Sequence, residues 1–139
     1  MIITELLENV YSNTSPYTSC EEKYVDNGYP HTNILHDLLQ ILFTNIEPTY
    51  IVECGSMIGG SAIRMAEILK TNDKSTEIIC IDPFTGDVNM WDWEKNGGTG
   101  QGGWRFLRLE NGIPTIYKRF LANCKYGGHL DADHHADDS

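Results

Sequence analysis

Residues 50–84, YIVECGSMIGGSAIRMAEILKTNDKSTEIICIDPF, decide the fold. Tyr50–Cys54 is a short β-rich apolar run that enters a turn holding Gly55, Gly59 and Gly60. Over Ser61–Lys70, the apolar residues Ala62, Ile63, Ala66, Ile68 and Leu69 recur at helical spacing and predict an amphipathic helix. A polar turn over Thr71–Ser75 leads to Glu77–Ile81, a second apolar, β-branched run that Asp82-Pro83 stops. This order, strand, glycine turn, helix, turn, strand, is a βαβ unit. Its strands should be parallel and its crossover right-handed.

Upstream, HTNILHDLLQILFTN places Ile34, Leu35, Leu38, Leu39, Leu42 and Phe43 at helical spacing. Thr32 or Asn33 is suited to cap that helix, and Asn45–Thr49 with Pro48 ends it. Ile2–Val10 is weakly amphipathic and reads as a short helix, while Ser12–Tyr29 has no period and reads as an irregular surface segment or one folded over a site. Downstream, Phe84–Glu94 carries Trp91 and Trp93, and Lys95–Gly103 holds five of the thirteen glycines, which predicts a mobile loop. A third strand is expected near Trp104–Leu109. A further helix is expected over Ile113–Cys124, with Pro114 in its first turn and Ile116, Tyr117, Phe120 and Leu121 on one face. Together these elements predict one α/β domain over residues 1–126, with a helical part at 1–47 and a βαβ core at 50–84. Residues 127–139, GGHLDADHHADDS, form an acidic, His-rich tail with almost nothing to bury.

Length and charge narrow the partners. At 139 residues the chain has room for one core, and 40% hydrophobic with 22% charged residues is an ordinary globular balance. Ten basic against twenty acidic residues give a net charge of -10, which disfavours phosphate backbones and anionic lipid. Nucleic acid and membrane are therefore not expected partners. No stretch approaches the ~20 apolar residues of a membrane span, and the N-terminus lacks the basic and apolar regions of a signal peptide, so a cytoplasmic location is expected. Cys20, Cys54, Cys80 and Cys124 form no CxxC pair. Cys54 and Cys80 lie in apolar runs, where free thiols are expected to behave as small buried hydrophobes.

The chemistry concentrates at ECGSMIGGS. Glycines let such a turn bend tightly and bring backbone close to a ligand. The helix that starts near Gly60 aims unpaired N–H groups and the positive end of its dipole at that place, which favours an anionic group. One strand over, Asp82 is placed to read ribose hydroxyls, as acids do in nucleotide-binding βαβ units. The alternative is a purely structural turn with an Asp-Pro loop start. Three residues separate Gly55 from Gly59, so the turn is not GxGxxG, and no GK[ST] follows for a P-loop. Trp91 and Trp93 either anchor the core or loop, or stack on a nucleoside. In the tail, His129, Asp131, Asp133, His134, His135, Asp137 and Asp138 match no defined metal spacing and read as solvated.

A hydrophobic strand running into Glu53, Gly55, Gly59, Ser61 and Ala62, the pattern E-x-G-x-x-x-G-x-S-A, resembles motif I of class I S-adenosylmethionine-dependent methyltransferases. The similarity is to the catechol O-methyltransferase-like and antibiotic O-methyltransferase-like branches, and it extends to IRMAEIL and to Asp82 in CIDPF. It implies a Rossmann-like three-layer αβα fold with a partial parallel sheet, S-adenosyl-L-methionine as cofactor, and methyl transfer to a small-molecule hydroxyl. It also implies roles for individual residues. Glu53 holds the turn or the amino group, and Gly55 with the backbone of Ser56 and Met57 approaches the methionine moiety. Gly59 and Ser61 start the helix, with Ser61 meeting the carboxylate. Asp82 grips the ribose, and Pro83 and Phe84 lie near the adenine. Tyr29 or His31, ahead of the long helix, could close over the cofactor.

A complete enzyme of this type carries seven strands in more than about 200 residues (implied by the resemblance), so the chain is expected to look like the N-terminal, cofactor-binding part of such a fold. The strands that usually supply the base, metal acids and acceptor pocket have no visible counterpart. No catalytic residue and no metal ligand is therefore assigned. A two-strand sheet exposes apolar edges, so marginal stability, aggregation or a homo-oligomer is expected. Two other function classes compete: a non-catalytic S-adenosylmethionine- or nucleotide-binding module, and an NAD-type oxidoreductase fragment, which the glycine spacing disfavours.

Overall fold

The structure is a computed structural model and describes residues 8–26, 33–92 and 106–126. Its labelled elements are α1 (Asn33–Asn45), β1 (Tyr50–Cys54), α2 (Gly60–Thr71), β2 (Glu77–Ile81), a single-turn α3 (Val88–Trp91) and α4 (Ile116–Tyr126). Tyr29, His31, Trp93, the glycine-rich loop and the tail lie outside the described residues, as does most of the N-terminal segment, of which residues 8–11 are helical.

β1 and β2 pair in parallel, with Tyr50 opposite Glu77 and Cys54 opposite Ile81. The βαβ unit thus has the expected strands and a helix one residue longer at each end than Ser61–Lys70. Because side chains alternate along a strand, the register puts Ile51 and Ile78 on one face. That face packs on Met65, Ile68 and Leu69 of α2 and on Phe43 of α1 with Leu39 partly buried beside it, while Leu38 and Leu42 of the α1 stripe stay exposed. The opposite face stays open: Val52 is 48% and Ile81 54% exposed, with Tyr50 beside them. Among the described residues, helices cover one face of the sheet and supply no second helical layer. Cys54 points to that open side and is exposed, while Cys80 is half-buried. The expectation that both thiols are buried is therefore corrected, because a buried strand needs cover on both faces.

A second core lies beyond β2, where Ile58, Leu107 and Ile116 are fully enclosed, with Phe84, Met90, Phe106 and Leu109 packed around them. It explains two further corrections. The strand expected near Trp104–Leu109 is absent over its described part: Phe106 and Leu107 are helical, and Leu107 is drawn into this core while its carbonyl accepts the Thr115 N–H at 3.1 Å. α4 starts at Ile116 rather than Ile113, because Ile113 is engaged in an antiparallel bridge with Glu110. α3 is held at its start by Asp87, whose carboxylate accepts the Asn89 N–H at 2.7 Å. No helix among the described residues is long and apolar enough to cross a membrane.

Candidate functional site

The turn between β1 and α2 begins as an extension of the sheet, where the Gly55 N–H donates to the Ile81 carbonyl at 2.9 Å. Gly55 then takes φ +84°, a left-handed value that side chains resist, and a Cβ built there would meet nothing within 4 Å. The space in front of Gly55 is open. Met57 is also left-handed, at φ 45°. Gly59 has φ +89° but a different reason to be glycine. A Cβ there would sit 3.2 Å from Phe120 Cδ2 and 3.3 Å from Cys124 Sγ, so its lack of a side chain lets α4 approach. The Gly59 N–H closes the turn on the Ser56 carbonyl at 2.7 Å, and α2 starts at Gly60 with the unbonded N–H groups of a first helical turn.

Asp82 faces this turn. One carboxylate oxygen accepts the Met57 N–H at 2.9 Å and the other the Phe84 N–H at 2.6 Å. Each oxygen has two lone pairs, so the half-buried carboxylate keeps capacity for further donors. Pro83 beside it is exposed. Phe84, left-handed at φ 55°, turns its ring inward: the centroid lies 4.9 Å from Tyr117 and 5.1 Å from Phe120. The ring is thus a packing contact with α4, and the backbone is what Phe84 presents to the turn.

Glu53 lies on the helix-covered side of β1. Its carboxylate accepts from the Ser61 hydroxyl and from the Cys80 thiol at 3.8 Å. The Ser61 hydroxyl, expected to meet a ligand carboxylate, is thereby spent on Glu53, which ties strand end to helix start. Burial pushes the Cys80 thiol up, and the neighbouring Ser56 hydroxyl offsets part of that rise. Ser56 itself is 1% exposed, and its Oγ has no hydrogen bond of good geometry. The buried hydroxyl therefore faces the Cys80 side of the turn.

The structure brings Glu53, Gly55, Ser56, Met57, Gly59, Ser61, Asp82, Pro83 and Phe84 into one strand-end cluster. These residues fit an amino-acid-bearing nucleoside: open backbone at Gly55, helix N–H groups for a carboxylate, and a carboxylate one strand over. Trp91 is not part of it. Its Nε1 donates to the Thr85 carbonyl at 2.9 Å, which makes it an anchor of its own loop. Among the described residues no cluster of three or more potential ligands could hold a metal ion.

Residues that the sequence alone left unmarked complete the surroundings. Arg119 and Asn123 on α4 are 1% and 3% exposed, and Asp26 is 8% exposed. Asn123 reaches the Ile58 carbonyl inside the turn at 2.9 Å. The i, i+4 spacing of Arg119 and Asn123 was visible, but their common partner is more than ninety residues away in the chain.

Comparison with known proteins agrees with this geometry. No curated protein and no solved structure gives a significant match. Residues 23–94, just over half of the chain, match the family described as Rhamnosyl O-methyltransferase/CmcI. That stretch contains the whole glycine turn, both strands and Asp82, and the chain belongs to this O-methyltransferase family.

Proposed function

We propose that the chain binds S-adenosyl-L-methionine at the β1–α2 turn and serves methyl transfer to a hydroxyl of a small molecule. One observation carries this: the Asp82 carboxylate is fixed at the rim of a glycine turn whose Gly55 faces open space. In this reading Gly55, Ser56 and Met57 line the methionine end with backbone, and the N–H groups at the start of α2 receive the carboxylate. Asp82 accepts from the ribose hydroxyls, and Pro83 and the Phe84 backbone border the adenine. Glu53 acts from beneath, keeping the turn on the helix through Ser61. When bound, the cofactor supplies a methyl group already activated on a sulfonium, so the protein's contribution is alignment. A base for the acceptor hydroxyl is the remaining requirement, and no described residue is assigned to it.

Calorimetric titration with S-adenosylhomocysteine tests the reading, on the wild type and on Asp82→Asn. Wild-type binding, weakened about ten-fold or more in the variant, supports it. A wild type that takes up no S-adenosylhomocysteine overturns it. Binding without release of S-adenosylhomocysteine from the methyl donor in the presence of sugar or phenolic hydroxyls would favour a non-catalytic binding module.

A further inference from the structure

Three stretches far apart in sequence meet at one buried polar knot. Asn123 Oδ1 accepts the Asp26 N–H at 2.8 Å while its Nδ2 donates to the Ile58 carbonyl at 2.9 Å. One helical turn earlier, Arg119 Nη1 donates to Asp26 Oδ2 at 2.8 Å and Nη2 donates to the Phe106 carbonyl. The guanidinium also stacks on the Phe106 ring, 4.5 Å from its centroid, and Arg108 Nη2 adds a 3.4 Å contact to the same carboxylate oxygen. α4 thus grips Asp26 at both its N–H and its carboxylate, and joins it to the carbonyl just before Gly59. A buried ion pair seldom adds net stability over apolar packing of the same volume. What this one provides is a fixed place: the Ile58 peptide cannot rotate without breaking the Asn123 bond in a site closed to water.

We infer that Asn123 is a positioning residue for the glycine turn, with Arg119 and Asp26 as its brace. The inference rests on the cofactor reading given above and extends it to a helix that lies outside the matched residues 23–94. The Ile58 carbonyl belongs to the peptide whose N–H side is Gly59, so its orientation sets where the turn's backbone and the first N–H groups of α2 point. Asn123 never needs to touch the ligand. It acts through Ile58.

The test is Asn123→Ala, read in two ways on the full chain: S-adenosylhomocysteine affinity by calorimetry, and amide hydrogen exchange without ligand. About ten-fold weaker binding, together with faster exchange at Gly59–Ser61 and unchanged protection at Met65–Leu69, is the expected result. Affinity within two-fold of wild type, or exchange that rises equally throughout α2, overturns the inference, since a merely structural role loosens the helix as a whole. If Asn123→Ala does not fold, Arg119→Lys is read in the same way, and failure of both to fold overturns it. A wild type that binds no S-adenosylhomocysteine removes the cofactor reading alone. The exchange pattern then decides by itself whether Asn123 sets the turn.

Discussion

Asp82 accepts the Met57 N–H at 2.9 Å, so a side chain at the end of β2 holds the backbone of the turn that follows β1. The same carboxylate also caps Phe84. Asp82→Ala therefore removes two charge-assisted bonds and leaves both N–H groups to water or to nothing. Urea unfolding should show a loss of about 1–3 kcal/mol. A midpoint unchanged from wild type would mean that the turn keeps its shape without Asp82.

Gly55 and Gly59 share a left-handed backbone but differ in surroundings. Gly55→Ala meets no atom within 4 Å, so its expected cost is the backbone term alone, about 1 kcal/mol. Gly59→Ala adds contacts near 3.2 Å with Phe120 and Cys124, and about 1–3 kcal/mol is expected. Thermal or chemical melts of the two variants check the order. Equal losses would contradict close packing of α4 on the turn.

Alkali should unfold the protein earlier than neutral pH would suggest. Burial pushes the Cys124 thiol from 9.0 and the Tyr17 phenol from 10.0, each up to about 12. Both groups line one 340 Å³ pocket between α2 and α4. Since the unfolded chain ionises them first, their contribution is intact below pH 9 and is lost as pH rises towards 12. In Cys124→Ala the decline should be shallower over the same range, because the Cys80 thiol and the Tyr17 and Tyr117 phenols still sit above their ordinary values. Urea midpoints from pH 8 to 11 measure this, and identical pH profiles for wild type and variant would refute it.

The open face of the sheet places Val52 and Ile81 in water at about half exposure. Both strands also have one edge without a partner among the described residues. Exposed apolar strands promote association. The double variant Val52→Lys, Ile81→Lys should raise the soluble concentration, measured by light scattering, without lowering the melting temperature. A loss of stability instead would show that the face is covered.

Local pattern sufficed for much of this fold. The β1–α2–β2 unit and α1 lie where apolar periodicity and glycine put them, because a pleated strand and an amphipathic helix leave distinct periods in the chain. The candidate site was legible for the same reason: Glu53, Gly55, Gly59 and Asp82 all sit at fixed offsets within one contiguous stretch. WRFLRL looked like a strand because its alternation suits one, yet Leu107 found more burial against Ile58 and Ile116.

Sequence by itself determined the two strands, the crossover helix between them and the glycine turn, since all are written in the one contiguous stretch of residues 50–84. Only the tertiary structure decided that Ser61 serves Glu53, that Phe84 packs on α4, and that Asn123 and Arg119 brace Asp26 beside Ile58. Hydrogen bonds between groups 65 to 97 residues apart carry no periodicity. They exist because buried donors and acceptors must find partners wherever the packed chain places them.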